Sequence, residues 1–139
     1  MERTNFEKLR VYILEENLAD AIWNIVVQWD YFARDTVGGQ MVRAADSVGS
    51  NISEGTGRGT PQDNRRYIRI ARGSLYETKH WLRRAYKRRL LTKEQVDTIR
   101  PILTELSPTL NAYFRSVDVA AERSRAKNKV QSTKLKAQD

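Results

Sequence analysis

The sequence predicts an all-α protein folded as an antiparallel, up-down-up-down four-helix bundle. Apolar residues recur at steps of three and four along four separate segments, which is the period of an amphipathic helix. No segment shows the strict alternation of a strand. The 139 residues include only three prolines and seven glycines, too few for a β protein with many turns. Short connections between long helices favour antiparallel neighbours.

The first two predicted helices cover about residues 6–32 and 37–54. The second is separated from the first by residues 35–39, where the apolar period is broken. Glycines 55, 57 and 59 are expected to end the second helix, because glycine readily adopts left-handed backbone conformations. The apolar face of the first helix consists of Val11, Leu14, Leu18, Ile22, Ile25 and Trp29.

The third helix, about residues 61–89, has the clearest start. Thr60 is a capping residue, Pro61 suits the first helical position, and Asp63 stands where a capping box has its acid. We expect its core face to consist of Ile68, Ala71, Leu75, Leu82 and Tyr86.

The fourth helix, about residues 93–117, begins at a second capping box formed by Thr92 and Gln95. Pro101 and Pro108 lie inside it and are expected to bend it. Residues 1–117 then form the bundle, and residues 118–139 a basic extension that is either a fraying helix or a disordered tail. The apolar seam of the fourth helix consists of Val96, Ile99, Leu103, Leu106, Leu110, Tyr113 and Val117.

The positive charge is concentrated in one quarter of the chain. Residues 1–57 carry a net charge of −4, residues 58–93 carry +10 and residues 94–139 carry +2. A surplus on one helix is typical of contact with a phosphate backbone or another polyanion.

Cysteine is absent, which excludes disulfides and thiolate metal sites, and nothing resembles a signal peptide or a membrane span. We therefore expect a cytoplasmic protein that does not contact membranes.

Residues with the chemistry of an active site are scarce. His80 is the single histidine and lies between Lys79 and Trp81, so a surface role is the simpler interpretation. The glycine loop at 55–59 follows a helix rather than a strand, and no Lys-Ser/Thr pair follows it. We predict no catalytic residue, no metal site and no cofactor.

The basic residues of the third helix fall on one stripe. Because a helix turns about 100° per residue, most of them lie within an arc of about 80°, beside the core face. Like charges at this spacing repel one another, which an anionic partner would relieve, and Tyr76 can stack on a base. The alternative is that the stripe pairs with acids of helices 1 and 2. The predicted nucleic-acid-binding residues are Arg65, Arg66, Arg69, Arg72, Tyr76, Lys79, Arg83, Arg84 and Lys87.

A third face of the same helix carries Ile70, Gly73, Ser74 and Trp81. Small residues permit close approach of another helix, and a tryptophan away from the core suggests a subunit contact. We predict that this face meets another helix, in the same subunit or in a neighbour.

The run from Gln40 to Arg58, which contains Asn-Ile-Ser-Glu-Gly-x-Gly-Arg at 51–58, resembles a known family signature. It is similar to that of the four-helix bundle proteins first noticed in intervening sequences of bacterial large-subunit ribosomal RNA genes. The run from Tyr67 to Glu77 resembles the third-helix pattern of this family, and the opening around Phe6 and Tyr12 resembles its start. Gly49 stands where proline is common, and Asp46 where an apolar or small residue is common.

The resemblance implies a homopentameric ring of antiparallel four-helix bundles. The segments His80-Trp81-Leu82-Arg83 and Leu91-Thr92-x-x-Gln95-Val96 also resemble the accessory variability protein of diversity-generating retroelements. That relative implies binding of nucleic acid and of a reverse transcriptase as a protein partner.

Five residues of the signature are interpreted as organisers of the turn between helices 2 and 3. Asn51 and Glu54 can satisfy free donors, Arg58 can pair with Glu54, and Gly55 and Gly57 permit the turn.

The first functional hypothesis is a non-catalytic, homo-oligomeric scaffold that binds RNA or DNA. The alternative is a structural oligomer that binds an acidic protein and no nucleic acid.

Overall fold

The computed structural model describes residues 9–138, and this part of the chain contains four long helices and no strand. They are α1 (Arg10–Val26), α2 (Gly39–Gly57), α3 (Pro61–Lys87) and α4 (Lys93–Gln138). A short helical turn, Tyr31–Ala33, and a π-helical segment, Arg34–Gly38, lead into α2. The predicted all-α class is confirmed for the described residues. Residues 6–8, where the first helix was predicted to begin, lie outside them.

One core holds the four helices together. Helix α1 packs against α2 and α4, and α3 packs against α2 and α4. The predicted seam of α4 is confirmed, because Ile99, Leu106, Leu110 and Val117 are buried. The predicted face of α3 is correct through Leu82 but wrong at Tyr86, which is 58% exposed. Ala85 is fully buried instead, because a step of three after Leu82 keeps the residue on the core face.

The break between the first two helices comes earlier than predicted. Helix α1 ends at Val26, and the next two turns close with the Gln28 amide donating to the Ile25 carbonyl and the Trp29 amide to the Val26 carbonyl. Asp30 then caps the following turn by accepting from the Ala33 amide at 3.0 Å. The expected break at residues 35–39 is wrong, since this stretch is helical. Asp30, a preferred N-cap residue, was the overlooked signal.

The end of α2 comes three residues later than Glu54. Gly55 lies inside the helix, and a Cβ there would be 2.5 Å from the Asn64 Oδ1 and 2.9 Å from the Tyr67 Cβ. Its lack of a side chain therefore serves the close approach of α2 and α3. Of the glycines at 55, 57 and 59, Gly59 alone has a left-handed backbone, with φ of 84°.

Both predicted caps are present. The Asp63 amide donates to the Thr60 hydroxyl at 3.3 Å, and the Thr92 and Gln95 pair exchanges two hydrogen bonds of 2.9 and 3.1 Å. Helix α4 contains both predicted internal prolines and continues across residue 117 to Gln138. Ala121 is fully buried, whereas nearly all side chains after it are exposed.

Candidate nucleic-acid interface

Helix α3 carries the predicted basic stripe beside α4. Its 27 residues form one uninterrupted helix, which places Arg65 near its start and Lys87 at its end. The side of the helix that bears the stripe lies next to Ser107, Leu110 and Asn111 of α4, which share a small surface depression with Arg72 and Lys79. The stripe is therefore lateral to the core, as its angular position predicts.

Arg65 is neutralised by α4. Its guanidinium donates to Asp118 at 3.0 Å and to Glu122 at 2.6 Å, and only 17% of its side chain is exposed. Among the described residues, the acids that pair with the stripe therefore come from α4 rather than from helices 1 and 2. Arg65 is less suited to bind phosphate than an exposed arginine, because a ligand would have to displace two carboxylates.

Two further arginines rest on an aromatic ring of α4. The Arg72 guanidinium carbon lies 4.6 Å from the centre of the Phe114 ring, and that of Arg69 lies 5.8 Å from it. The Arg72 Nε is buried and has no hydrogen-bond partner in the described part of the chain. Arg69 remains exposed, so it can contact a ligand while its side chain is steadied by the ring.

The second half of α3 is open. Tyr76 is 66% exposed, and the Lys79 ammonium lies 5.6 Å from the centre of its ring. Beyond it, Arg83 and Lys87 border a depression of about 460 Å³ between α3 and α4. Its other lining residues are Leu82, Tyr86, Leu91, Val96, Ile99, Arg100 and Leu103. Cations at the edge of an apolar depression suit a ligand that has both a flat apolar part and a phosphate.

Within residues 9–138, Arg65 is the one predicted stripe residue that forms a salt bridge. Arg66 and Arg69 are exposed near the start of the helix, Arg66 with its guanidinium 5.1 Å from the centre of the Tyr67 ring. Arg83 and Lys87 are exposed near its end, and Arg84 is half-buried. The stripe is therefore a set of available cations interrupted by Arg65 and Arg72.

The predicted turn motif is split between two places. Arg58 donates to Glu54 at 2.5 Å and to the Tyr67 hydroxyl at 2.6 Å, which ties the end of α2 to α3. Asn51 does not reach the turn. Its amide donates to the Ser47 carbonyl at 2.8 Å and to the Ser47 hydroxyl at 3.0 Å. Gly57 is exposed, and a Cβ there would meet nothing within 4 Å.

The predicted contact face of α3 does not act as one surface inside the subunit. Ser74 is buried and shares a hydrogen bond of 2.8 Å with Ser47 of α2. Trp81 is partly buried and packs against the core, with its indole donating to Glu77 at 3.3 Å. Ile70 and Gly73 are exposed, and a Cβ at Gly73 would meet nothing within 4 Å. Ser74 thus meets another helix of the same subunit, and a subunit contact by the face stays a prediction.

A second polar region lies between α1 and α2, where no site was predicted. Glu15 is 4% exposed, and its Oε1 has no hydrogen-bond partner in the described part of the chain. Burial, and secondarily the charge of Asp46, raise the pKa of Glu15 to about 8. Burial and the charge of Asp20 raise the pKa of Asp46. The signal was present in the sequence, because Glu15 falls between Val11 and Leu18 on the core period of α1.

The described residues contain no cluster of three or more histidines, cysteines or acids arranged to hold a metal ion. His80 is exposed and meets Trp81 edge to face, with ring centres 4.9 Å apart. Among residues 9–138, no helix is both long enough and apolar enough to cross a membrane.

Comparisons with known proteins agree with the observed helices. A family model described as "23S rRNA-intervening sequence protein" matches residues 7–112. The crystal structure of a protein of unknown function from the S23 ribosomal protein family of Bacteroides thetaiotaomicron superposes with a TM-score of 0.65. The two chains are 24% identical, and the match covers 75% of this chain and 97% of the other, which shows a common fold. No curated protein matches the chain.

Proposed function

This chain belongs to the 23S rRNA-intervening sequence protein family, and from that premise we propose that it is a non-catalytic, oligomeric scaffold that binds nucleic acid through α3. The proposal rests on one observation: several cations of α3 are exposed and lack carboxylate partners within residues 9–138. They are Arg66, Arg69, Arg83 and Lys87, and Tyr76 and Tyr86 are exposed among them.

The contacts of α3 favour its second half as the part that binds. Arg65 is held by two carboxylates and Arg72 by Phe114, so these two shape the helix surface more than they contact a ligand. The second half, from Tyr76 to Lys87, offers exposed rings, exposed cations and an apolar depression together. Rings that stack on bases and cations that hold phosphates are the usual elements of single-strand binding. The proposed ligand is therefore RNA or DNA with unpaired bases.

The proposal includes the direction of the helices. Arg65, near the start of α3, meets Asp118 and Glu122 in the second half of α4. Leu82, near the end of α3, shares a depression with Val96 at the start of α4. These contacts support the antiparallel, up-down-up-down bundle. A ring of five such bundles, which the family resemblance implies, would present five α3 surfaces to one strand and raise its avidity.

A role beside a nucleic-acid enzyme extends the same proposal. It rests on the resemblance of the segments at 80–83 and 91–96 to the accessory variability protein of diversity-generating retroelements. His80 and Arg83 of the first segment are exposed, so a protein partner such as a reverse transcriptase can reach them. Pull-down of a reverse transcriptase by the wild type, and its loss on His80→Ala, would be the specific sign of this partner.

The test is fluorescence anisotropy with labelled single-stranded RNA, single-stranded DNA and duplex DNA. Affinity should fall with salt at a log–log slope of about −0.7 per neutralised phosphate for single strands and about −0.9 for B-DNA. The variant Arg69→Gln/Arg83→Gln should bind all sequences more weakly and with a flatter slope, since phosphate contacts do not read sequence. Arg72 is left unchanged because it packs on Phe114.

The matched control is Arg34→Gln/Arg43→Gln, which removes the same charge from exposed positions outside α3. It should bind nearly as the wild type does. Equal losses in both variants would mean that net charge, rather than α3, carries binding. If no nucleic acid binds at low salt, the alternative, an oligomer that binds an acidic protein through the same helix, takes its place.

A further inference from the structure

The groove between α1 and α2 is lined by acids and hydroxyl groups. Its polar lining residues are Tyr12, Glu15, Glu16, Asp20, Asp46, Ser50 and Ser53. Ala19 and Gly49 complete the lining, so none of the described residues that line it is basic. A groove of this kind attracts cations.

Glu15 distinguishes this groove from an ordinary acidic surface. It is 4% exposed, yet it lines the groove, and its Oε1 has no hydrogen-bond partner among residues 9–138. The carboxylate lies so close to the backbone of Gly49 that a Cβ there would overlap it. A buried acceptor without a donor is costly, and a cation that donates hydrogen bonds would remove that cost.

The chemistry of the lining favours a guanidinium over a metal ion. The described carboxylates are not arranged as a metal site. A guanidinium is planar, offers five donors and can bind a carboxylate through two of them at once. The Ser50 and Ser53 hydroxyls and the Asp46 carboxylate supply further acceptors beside Glu15.

We propose that this groove binds an arginine side chain of a second copy of the chain, with Glu15 as its innermost acceptor. The same chain has the complementary surface, because residues 58–93 carry a net charge of +10. Arg83, Arg88 and Arg89 are exposed at one end of α3 and form no salt bridge within residues 9–138. Within one subunit, the groove lies between α1 and α2. Helix α1 packs against α2 and α4 rather than against α3, which carries these arginines near its end.

Contact between two unlike surfaces joins copies head to tail, and such contacts close into rings when the rotation permits. The inference rests on the homo-oligomer of the proposed function and supplies a contact for it. It does not depend on nucleic acid.

Ionisation of Glu15 gives the contact a pH dependence. Burial and the neighbouring Asp46, Glu16 and Asp20 raise the pKa of Glu15 to about 8, so the empty groove holds a proton at neutral pH. An incoming guanidinium favours the carboxylate, and the proton is released to solvent. Association should therefore strengthen as pH rises towards 8, by up to about tenfold per pH unit for each groove, and level off above it.

The experiment is sedimentation of the full chain, without nucleic acid, across pH 6–9. The wild type should self-associate more tightly as pH rises. Glu15→Gln, which keeps the shape of the side chain, should associate at least tenfold more weakly at pH 8 and lose the pH dependence. The control Asp97→Asn removes an equal charge from an exposed position on α4 and should behave as the wild type does. Circular dichroism melts verify that each variant is folded.

A double-mutant cycle identifies the arginine. Glu15→Gln is combined in turn with Arg83→Gln, Arg88→Gln and Arg89→Gln, and the donor is the one whose loss has no further effect once Glu15 is replaced. A wild type that stays monomeric at micromolar concentration would overturn both the oligomer and this contact. An oligomer that Glu15→Gln leaves unchanged would overturn the contact alone.

Discussion

The α1–α2 groove is acidic and the stripe on α3 is basic. The two regions differ in how far their charged side chains are buried and paired. On α3, four of the eight cations are exposed, and two of the partly buried ones, Arg65 and Arg72, contact carboxylates and an aromatic ring, respectively. In the groove, three acids lie near a fourth, Glu15, which is buried and whose Oε1 has no hydrogen-bond partner in the described part of the chain. Net charge therefore does not measure the energetic consequence of a charged region. Burial and pairing decide it, because a solvated charge costs little and an unpaired buried one costs much.

The largest expected difference between the two regions is in the pH dependence of stability. The pKa of Glu15 is raised to about 8 in the folded state, so the folded chain keeps a proton that the unfolded chain releases near pH 4.5. The unfolding free energy should fall as pH rises between these values, by up to about 1.4 kcal/mol per pH unit. Urea titrations from pH 5 to 9, at protein concentrations low enough to dissociate copies, measure it.

Glu15→Gln should flatten this dependence, whereas Arg69→Gln on α3 should leave it in place. A wild-type stability that is constant between pH 5 and 8 would mean that Glu15 ionises normally and that the groove is open to water.

Two mid-helix glycines, one beside the buried Glu15 and one on the exposed side of α3, should respond oppositely to alanine substitution. Glycine-to-alanine exchange inside a helix ordinarily stabilises by about 0.5–1 kcal/mol. Gly73→Ala on exposed α3 should show this gain, because a Cβ there meets nothing within 4 Å. Gly49→Ala should instead destabilise by about 1–2 kcal/mol, since the new methyl group overlaps the Glu15 carboxylate. Thermal melts compare the two, and the Gly49→Ala loss should shrink in a Glu15→Ala background.

Within α3, enclosed and exposed arginines should differ. Arg65→Gln should destabilise by about 1 kcal/mol, because Asp118 and Glu122 lose their shared partner but are themselves partly exposed. Arg83→Gln should change stability by less than about 0.5 kcal/mol and should weaken nucleic-acid binding instead. Denaturant titration and anisotropy on the same samples separate the two effects. Equal effects of both variants on binding would contradict the distinction between the paired Arg65 and the exposed Arg83.

The smallest effect is expected at the end of α2. Glu54 is half exposed and pairs with Arg58 four residues later, so Glu54→Ala should cost only about 0.3–0.5 kcal/mol. The predicted pairing of Glu54 with Arg58 is present, but both side chains are about half exposed. A loss above about 1 kcal/mol in a thermal melt would show that the link from Arg58 to Tyr67 depends on Glu54.

Much of the fold was predictable, because helical period and capping are local properties. The steps of three and four predicted the seam of α4 from Ile99 to Val117, and the Thr92–Gln95 pair predicted its start. The run ending at Arg58 resembled the signature of the family to which the chain belongs. The Asp30 cap was equally local but was overlooked, and with it the true start of the helical stretch before α2.

The helical class, the caps and the concentration of charge on α3 follow from local sequence, since each depends on residues close together in the chain. Which charges are paired, by contrast, depends on how the helices pack against one another. Arg65 meets Asp118 and Glu122 more than fifty residues away, and Glu15 is enclosed against Gly49 of α2. Burial and pairing arise when distant helices pack, so a helical wheel drawn for one helix shows where a side chain points but not what it meets.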